Sequence, residues 1–147
     1  MDKSRGIVTV IGAGTMGHGI AQVAALAGYQ VHLNDLKAEP LAAGRVGIER
    51  NLSGGVERGK VSPEDRDAAL ARVREVLDLE EAVASADLVV EAIVENMEIK
   101  QGLFRQVEGM APRSAVLASN TSSLPIGKIA AALQQPERMI GMHFFNP

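Results

Sequence analysis

Hydrophobic residues fall along this chain in two rhythms. Short, nearly uncharged runs predict strands: GIVTVI at 6–11, VHLND at 31–35, DLVVEAIV at 87–94, SAVLA at 114–118 and RMIGM at 138–142. Between them lie stretches of helical character: GIAQVAALAG, which stops at Gly28, residues 97–110, and residues 125–133. Strands that are apolar almost throughout and alternate with helices predict a parallel sheet covered on both faces. The expected fold is therefore α/β, a doubly wound parallel sheet of the Rossmann type, with its ligand crevice at the carboxyl ends of the strands where strand order reverses.

One region breaks the alternation. Leu41, Ile48, Leu52 and Val56 stand at helical spacing, as do Leu70, Val73 and Leu77, with GKVSPED between the two sets. Ser62 can cap, Pro63 suits a first helical position and Asp65 completes a weak capping box. The pattern predicts a long helical hairpin over 38–77, whose first arm, about 30 Å long at 1.5 Å per residue, would stand out from the sheet.

The first strand runs into VIGAGTMGHGIA, where Gly12, Gly14 and Gly17 form G-x-G-x-x-G between a predicted strand and a predicted helix. Gly12 serves the tight turn, Gly14 lets a pyrophosphate approach the backbone, and Gly17 allows helix and strand to pack closely. Ala13, Thr15 and Met16 complete a turn whose helix N-terminus offers N–H groups to the phosphates. Asp35, at the end of the second strand, can accept hydrogen bonds from a ribose and repel a 2′-phosphate, which selects NAD over NADP; Lys37 nearby softens that preference. A glycine turn and a surface aspartate that bind nothing, or an FAD or S-adenosylmethionine site, are the alternatives.

Composition narrows the choice. A chain of 147 residues with 46% hydrophobic and 22% charged content suits one soluble domain. The net charge of −3 and an aromatic content of 3% argue against nucleic acid as the partner. The absence of cysteine excludes disulfides, thiolate metal sites and a cysteine nucleophile, and no metal site is expected. The first apolar run is too short and too broken by glycine for a signal core or a membrane span, and a cytoplasmic location is expected.

Polar side chains gather at the predicted strand ends. SNTSS fills 119–123, Glu95 and Asn96 end another strand, and His143 ends the last. Parallel strands bring such groups to one rim of the sheet. Hydride transfer from an alcohol carbon needs a base near the hydroxyl and a donor to the oxygen, and imidazole suits the first task. Plain structural roles compete: Asn96 and the SNTSS hydroxyls can cap helices, and a histidine beside two aromatics can be structural. His18 and His32 have no evident partner and are read as structural.

Taken together, VIGAGTMGHGIAQVAALAG, LVVEAIVENMEIK, ASNTSSLPI and GMHFFNP resemble the NAD-binding domain of the 3-hydroxyacyl-CoA dehydrogenase family, and the bacterial 3-hydroxybutyryl-CoA dehydrogenases in particular. The resemblance covers essentially the whole chain, 1–147, and implies reversible oxidation of an (S)-3-hydroxyacyl-CoA to the 3-oxoacyl-CoA, with hydride passing to NAD. It implies that His143 is the catalytic base, that Ser122 hydrogen-bonds the substrate oxygen and that Asn120 supports them. Glu95 and Lys100 match positions lining the nicotinamide-side ribose. The hairpin is similar to one that lies along coenzyme A, with Arg58 and Lys60 as candidates for its phosphates. A solvated face of Arg45, Arg50, Arg58, Lys60 and Arg66 is the competing view.

In the family a glutamate past the histidine orients the imidazole, and a helical C-terminal domain closes the cleft and forms the dimer. The expectation is that this chain stops inside the active site, keeps NAD binding and turns over poorly alone. The missing domain would come in cis or in trans, and exposed apolar surface could drive formation of a homo-oligomer. A non-catalytic NAD or acyl-CoA binding module, or one piece of a split enzyme, is the reading from a different class.

Overall fold

The computed structural model describes residues 5–145. Its centre is a sheet of β1 (Ile7–Ile11), β2 (Gln30–Asn34), β3 (Val73–Glu75), β4 (Leu88–Glu91), β5 (Val116–Ser119) and β6 (Met139–Gly141). The strand order is β3-β2-β1-β4-β5-β6, and every neighbouring pair is parallel. Order therefore reverses between β1 and β4, and a crevice opens beyond their carboxyl ends.

Among the described residues six α-helices flank the sheet: α1 (Thr15–Leu26), α2 (Ala38–Glu57), α3 (Pro63–Arg72), α4 (Leu79–Val83), α5 (Met97–Met110) and α6 (Ile126–Ala130). Successive strand residues feed opposite faces. Val10, Val90 and Ala118 join one core with Ile20 and Ala21 of α1, Ile48 and Leu52 of α2 and Ala69 of α3. Ile11, Val89 and Leu117 join the other with Val83 of α4, Phe104 and Val107 of α5 and Ile129 of α6. This period of two is what covering both faces requires. Burying each large side chain contributes about 1.5–3 kcal/mol.

Two expectations for 38–77 are corrected. The spacing of Leu70, Val73 and Leu77 does not continue a helix: α3 ends at Arg72, and Val73, with φ −91° and ψ 121°, begins β3 beside Val31 of β2. Nor does α2 stand clear of the body. Leu41, Gly44, Gly47, Ile48, Leu52 and Gly55 are buried along it, and a Cβ on Gly44 would lie 2.8 Å from the carbonyl oxygen of Ala13. Arg45 ties α2 to the end of α3, its Nη1 donating to the carbonyls of Leu70 at 3.0 Å and Val73 at 2.9 Å. The capping of α3 follows the sequence, with Ser62 Oγ accepting from the Asp65 N–H at 3.0 Å. The short helix α4, capped by Asp78, had no counterpart in the sequence reading.

His18 and His32 do have partners. Nδ1 of His32 lies 3.0 Å from the carbonyl oxygen of Ala82, and Nδ1 of His18 lies 3.4 Å from that of Ala13. Among the described residues no helix is long and apolar enough to cross a membrane.

Candidate functional site at the strand ends

The glycine turn sits at the strand-order reversal. Gly12 has φ +103°, a conformation that L side chains rarely adopt, and a Cβ there would lie 2.5 Å from the carbonyl oxygen of Ala92, just past β4. A Cβ on Gly17 would fall 1.6 Å from the carbonyl oxygen of Gly12, so α1 can leave the strand this closely only with glycine at that position. Gly14, by contrast, has nothing within 4 Å of where its Cβ would stand. It is also the N-cap of α1, and no side chain caps that helix end. An open main-chain surface and an uncapped helix N-terminus, beside Thr15 and Met16, fit a diphosphate.

Asp35 closes the turn from the neighbouring strand. Its Oδ2 accepts from the Ala13 N–H at 2.9 Å and its Oδ1 from the Leu36 N–H at 2.7 Å. The carboxylate is thus fixed against the glycine turn, at the end of β2, where a ribose would present its hydroxyls.

On the other side of the reversal, β4, β5 and β6 deliver the polar groups. Glu91, the last residue of β4, is fully buried; it stands in register with Ile11 and Ser119. Its Oε1 accepts from Ser119 Oγ at 2.5 Å, and its Oε2 accepts from the Ile93 N–H at 2.8 Å and from the Lys100 ammonium. Lys100, in the first turn of α5, is 1% exposed and also lies 3.1 Å from Oε1 of Glu95. Glu95 accepts on Oε2 from Thr121 Oγ1 at 2.6 Å and Ser123 Oγ at 3.0 Å. Burial pushes the Glu95 carboxyl up, but the hydrogen bonds from Thr121 and Lys100, the Lys100 charge and the Ser123 bond outweigh it, and the group is held below the usual glutamate value.

The loop after β5 divides its labour. Thr121 Oγ1 accepts from the Leu124 N–H at 3.0 Å, so this hydroxyl has the turn-stabilising role that competed with a catalytic one. Asn96 caps α5, accepting from the Ile99 N–H at 3.0 Å. Asn120 Oδ1 accepts from the Phe144 N–H at 2.7 Å, and the Met142 N–H donates to the Ser119 carbonyl at 2.9 Å. Arg138 fixes the start of β6 through the carbonyls of Pro112 at 2.7 Å and Ala115 at 3.1 Å. His143 is carried on this tethered segment. It is exposed, with its ring 4.7 Å from that of Phe145, and among the described residues no side chain hydrogen-bonds its imidazole. The last two residues of HFFNP, Asn146 and Pro147, lie outside the described residues.

Ser122, Asn120 and His143 line one cavity of about 330 Å³ together with Met16, Glu91, Glu95 and Lys100. The four segments quoted from the sequence thus meet at one place. Met16, Phe144 and Phe145 also border a second cavity of about 570 Å³, lined further by His18, Gln22, Arg50, Asn51 and Arg58. Arg58 therefore reaches a cavity, whereas Lys60 sits exposed in the turn after α2 and is not among its lining residues. Arg50, which by sequence alone fits a solvated face, is part of that wall. Glu91 was also missed. A glutamate ending a strand buried on both faces must find a cation, and Lys100 on the next helix was the signal that could have revealed it.

A doubly wound sheet with an open glycine turn, a fixed acid after β2 and a polar cavity at the ends of β4, β5 and β6 defines a dinucleotide-binding domain. Residues 7–147 match the family described as 3-hydroxyacyl-CoA dehydrogenase, NAD binding domain, and the chain belongs to that family. It is 48% identical over 140 residues to the 3-hydroxyadipyl-CoA dehydrogenase of Escherichia coli K12, a match that covers 95% of this chain and 29% of that protein. It is 45% identical to the 3-hydroxybutyryl-CoA dehydrogenase of Bradyrhizobium diazoefficiens, covering 95% of this chain and 47% of the relative. The crystal structure of a 3-hydroxybutyryl-CoA dehydrogenase from E. coli K12 superposes with a TM-score of 0.93 at 47% identity, over 97% of this chain and 30% of the other. The chain thus spans between about a third and a half of the length of these relatives.

Proposed function

We propose that the chain carries the coenzyme half of an active site that oxidises (S)-3-hydroxyacyl-CoA, such as 3-hydroxybutyryl-CoA, to 3-oxoacyl-CoA. The observation that carries this reading is the meeting of His143, Ser122 and Asn120 in one cavity that also touches Met16 of the glycine turn. In the forward direction the C3–H bond breaks as the hydroxyl loses its proton and the C3–O bond becomes a carbonyl. His143 receives the proton on its imidazole, and the Ser122 hydroxyl donates a hydrogen bond to the substrate oxygen. Bound NAD supplies the hydride acceptor. Asn120 acts through the main chain, holding Phe144 and with it the histidine next to it.

The residues that would hold NAD fall on both sides of the strand-order reversal. Gly12, Ala13, Gly14, Thr15, Met16 and Gly17 would take the diphosphate, and Asp35 the adenosine ribose. Glu95 and Lys100 would take the nicotinamide-side ribose. The acyl-CoA would run from the His143 cavity into the larger one beside it, with its phosphates near Arg58 and Arg50; Lys60, at the turn, would reach only the far end of such a ligand.

His143 stands exposed, so further protein that covers it and orients its ring, in cis or in trans, would raise activity by excluding water and fixing the tautomer. The proposal is tested with acetoacetyl-CoA and NADH, followed at the nicotinamide absorbance. Turnover that requires or is strongly enhanced by the C-terminal half of a relative, and that His143→Gln abolishes without loss of NAD binding, is the expected result. Coenzyme binding with no turnover under any such complementation would instead favour a non-catalytic binding module.

A further inference from the structure

The Glu91 carboxylate is fully buried at the end of a central strand, where a charge is costly unless hydrogen bonds and an opposite charge offset its desolvation. Ion pairs this deep seldom repay their desolvation, and apolar residues of similar volume usually serve stability as well or better. Lys100 needs no second carboxylate for neutrality, because Glu95 already lies 3.1 Å away. With Glu91 included, two carboxylates enclose one ammonium, and the formal charge of the cluster is −1. All three side chains line the cavity that also holds His143. The charge is fixed in place as well, since Ser119 Oγ, the Ile93 N–H and Lys100 together engage both oxygens of Glu91.

We infer that Glu91 makes this wall of the cavity negative and thereby biases the site toward the oxidised, cationic nicotinamide over the reduced, neutral one. The inference rests on the NAD reading above. Asp35 marks the adenosine side of the reversal at β2, so the nicotinamide half of a dinucleotide crossing the sheet falls over β4, β5 and β6, beside this cluster. There a fixed negative charge attracts a cationic ring and is indifferent to a neutral one, and the effect is stronger at a partly dry wall than in water. Glu91 acts through charge and through the placement of Lys100. It does not touch the reacting atoms and is a positioning residue.

The test is the ratio of dissociation constants for NAD⁺ and NADH, measured by calorimetry on the purified protein at one fixed pH and ionic strength. Glu91→Gln and Glu95→Gln each take the cluster from −1 to neutral. Each is expected to raise the NAD⁺/NADH ratio by roughly threefold or more, the scale of a partly screened charge interaction. Glu95 is 44% exposed, so its variant reads the same charge without disturbing the core should Glu91→Gln fail to fold. The double variant Glu91→Gln with Lys100→Met restores −1 and should bring the ratio back toward the wild-type value even as overall affinity falls. A purely structural role would weaken both coenzymes equally. An unchanged ratio in Glu95→Gln, or in folded Glu91→Gln, overturns the inference, whereas a wild-type protein that binds neither coenzyme sinks the NAD reading itself.

Discussion

Asn120 Oδ1 accepts the main-chain N–H of Phe144 at 2.7 Å, and this bond joins the loop after β5 to the segment that carries His143. Replacing Asn120 by Ala removes the acceptor. The expected cost is about 1 kcal/mol of stability by chemical denaturation, the usual worth of one such bond. Dehydrogenase activity in the complemented assay should fall much further than NAD affinity. Equal loss of the two would show that Asn120 supports the whole rim and not the histidine segment in particular.

The glycine turn separates folding from binding. Gly17→Ala places a methyl group 1.6 Å from a carbonyl oxygen and should destabilise the protein by at least about 3 kcal/mol, or prevent folding. Gly14→Ala meets no protein atom within 4 Å, so the melting temperature should hold while NAD affinity drops sharply. Circular dichroism and calorimetry read the two outcomes. Full coenzyme affinity in Gly14→Ala would mean that the diphosphate does not approach this turn.

Asp35→Ala should weaken NAD by about tenfold or more, the scale of a charge-assisted hydrogen bond, and should narrow the preference for NAD over NADP. Paired titrations with the two coenzymes check this. Some of the loss will come from the turn itself, because the same carboxylate accepts from Ala13 and Leu36. Asp35→Asn, which can keep an acceptor toward Ala13, separates the two contributions.

The lowered pKa of Glu95 has a consequence for stability. The group binds its proton more weakly in the folded chain than in the unfolded one, so its stabilising contribution is present above the ordinary glutamate value near 4.3 and is lost as pH falls through the lower folded value. In Glu95→Gln the decline of stability over that acid window should be shallower than in the wild type. Denaturation midpoints measured at successive acidic pH values compare them, and parallel curves would remove Glu95 from the acid response.

Much of this arrangement was legible in the sequence, for physical reasons that differ by element. The helix α5 spans Met97–Met110, as its spacing and the capping Asn96 indicate, because a helix of this length repeats its apolar stripe several times. The glycine turn could be read because its residues are steric necessities. The strand β3 could not: a helix end, a three-residue strand and the loop after it place Leu70, Val73 and Leu77 at intervals of three and four, which imitate one continuous helix. At the site, VEAIVEN offers two glutamates, and the one nearer the rim drew attention. The buried one, Glu91, is signalled in sequence only by Lys100 on the following helix, and its contact with Ser119 shows only in three dimensions. Arg50 was hidden in the same way, since whether a helical arginine faces solvent or a cavity depends on how α2 packs on α1.

Calorimetric titration of the folded protein with NADH tests the central claim most directly. Saturable binding of one coenzyme per chain, lost in Gly14→Ala, is the expected result. The absence of any saturable heat from correctly folded protein at millimolar coenzyme would contradict it.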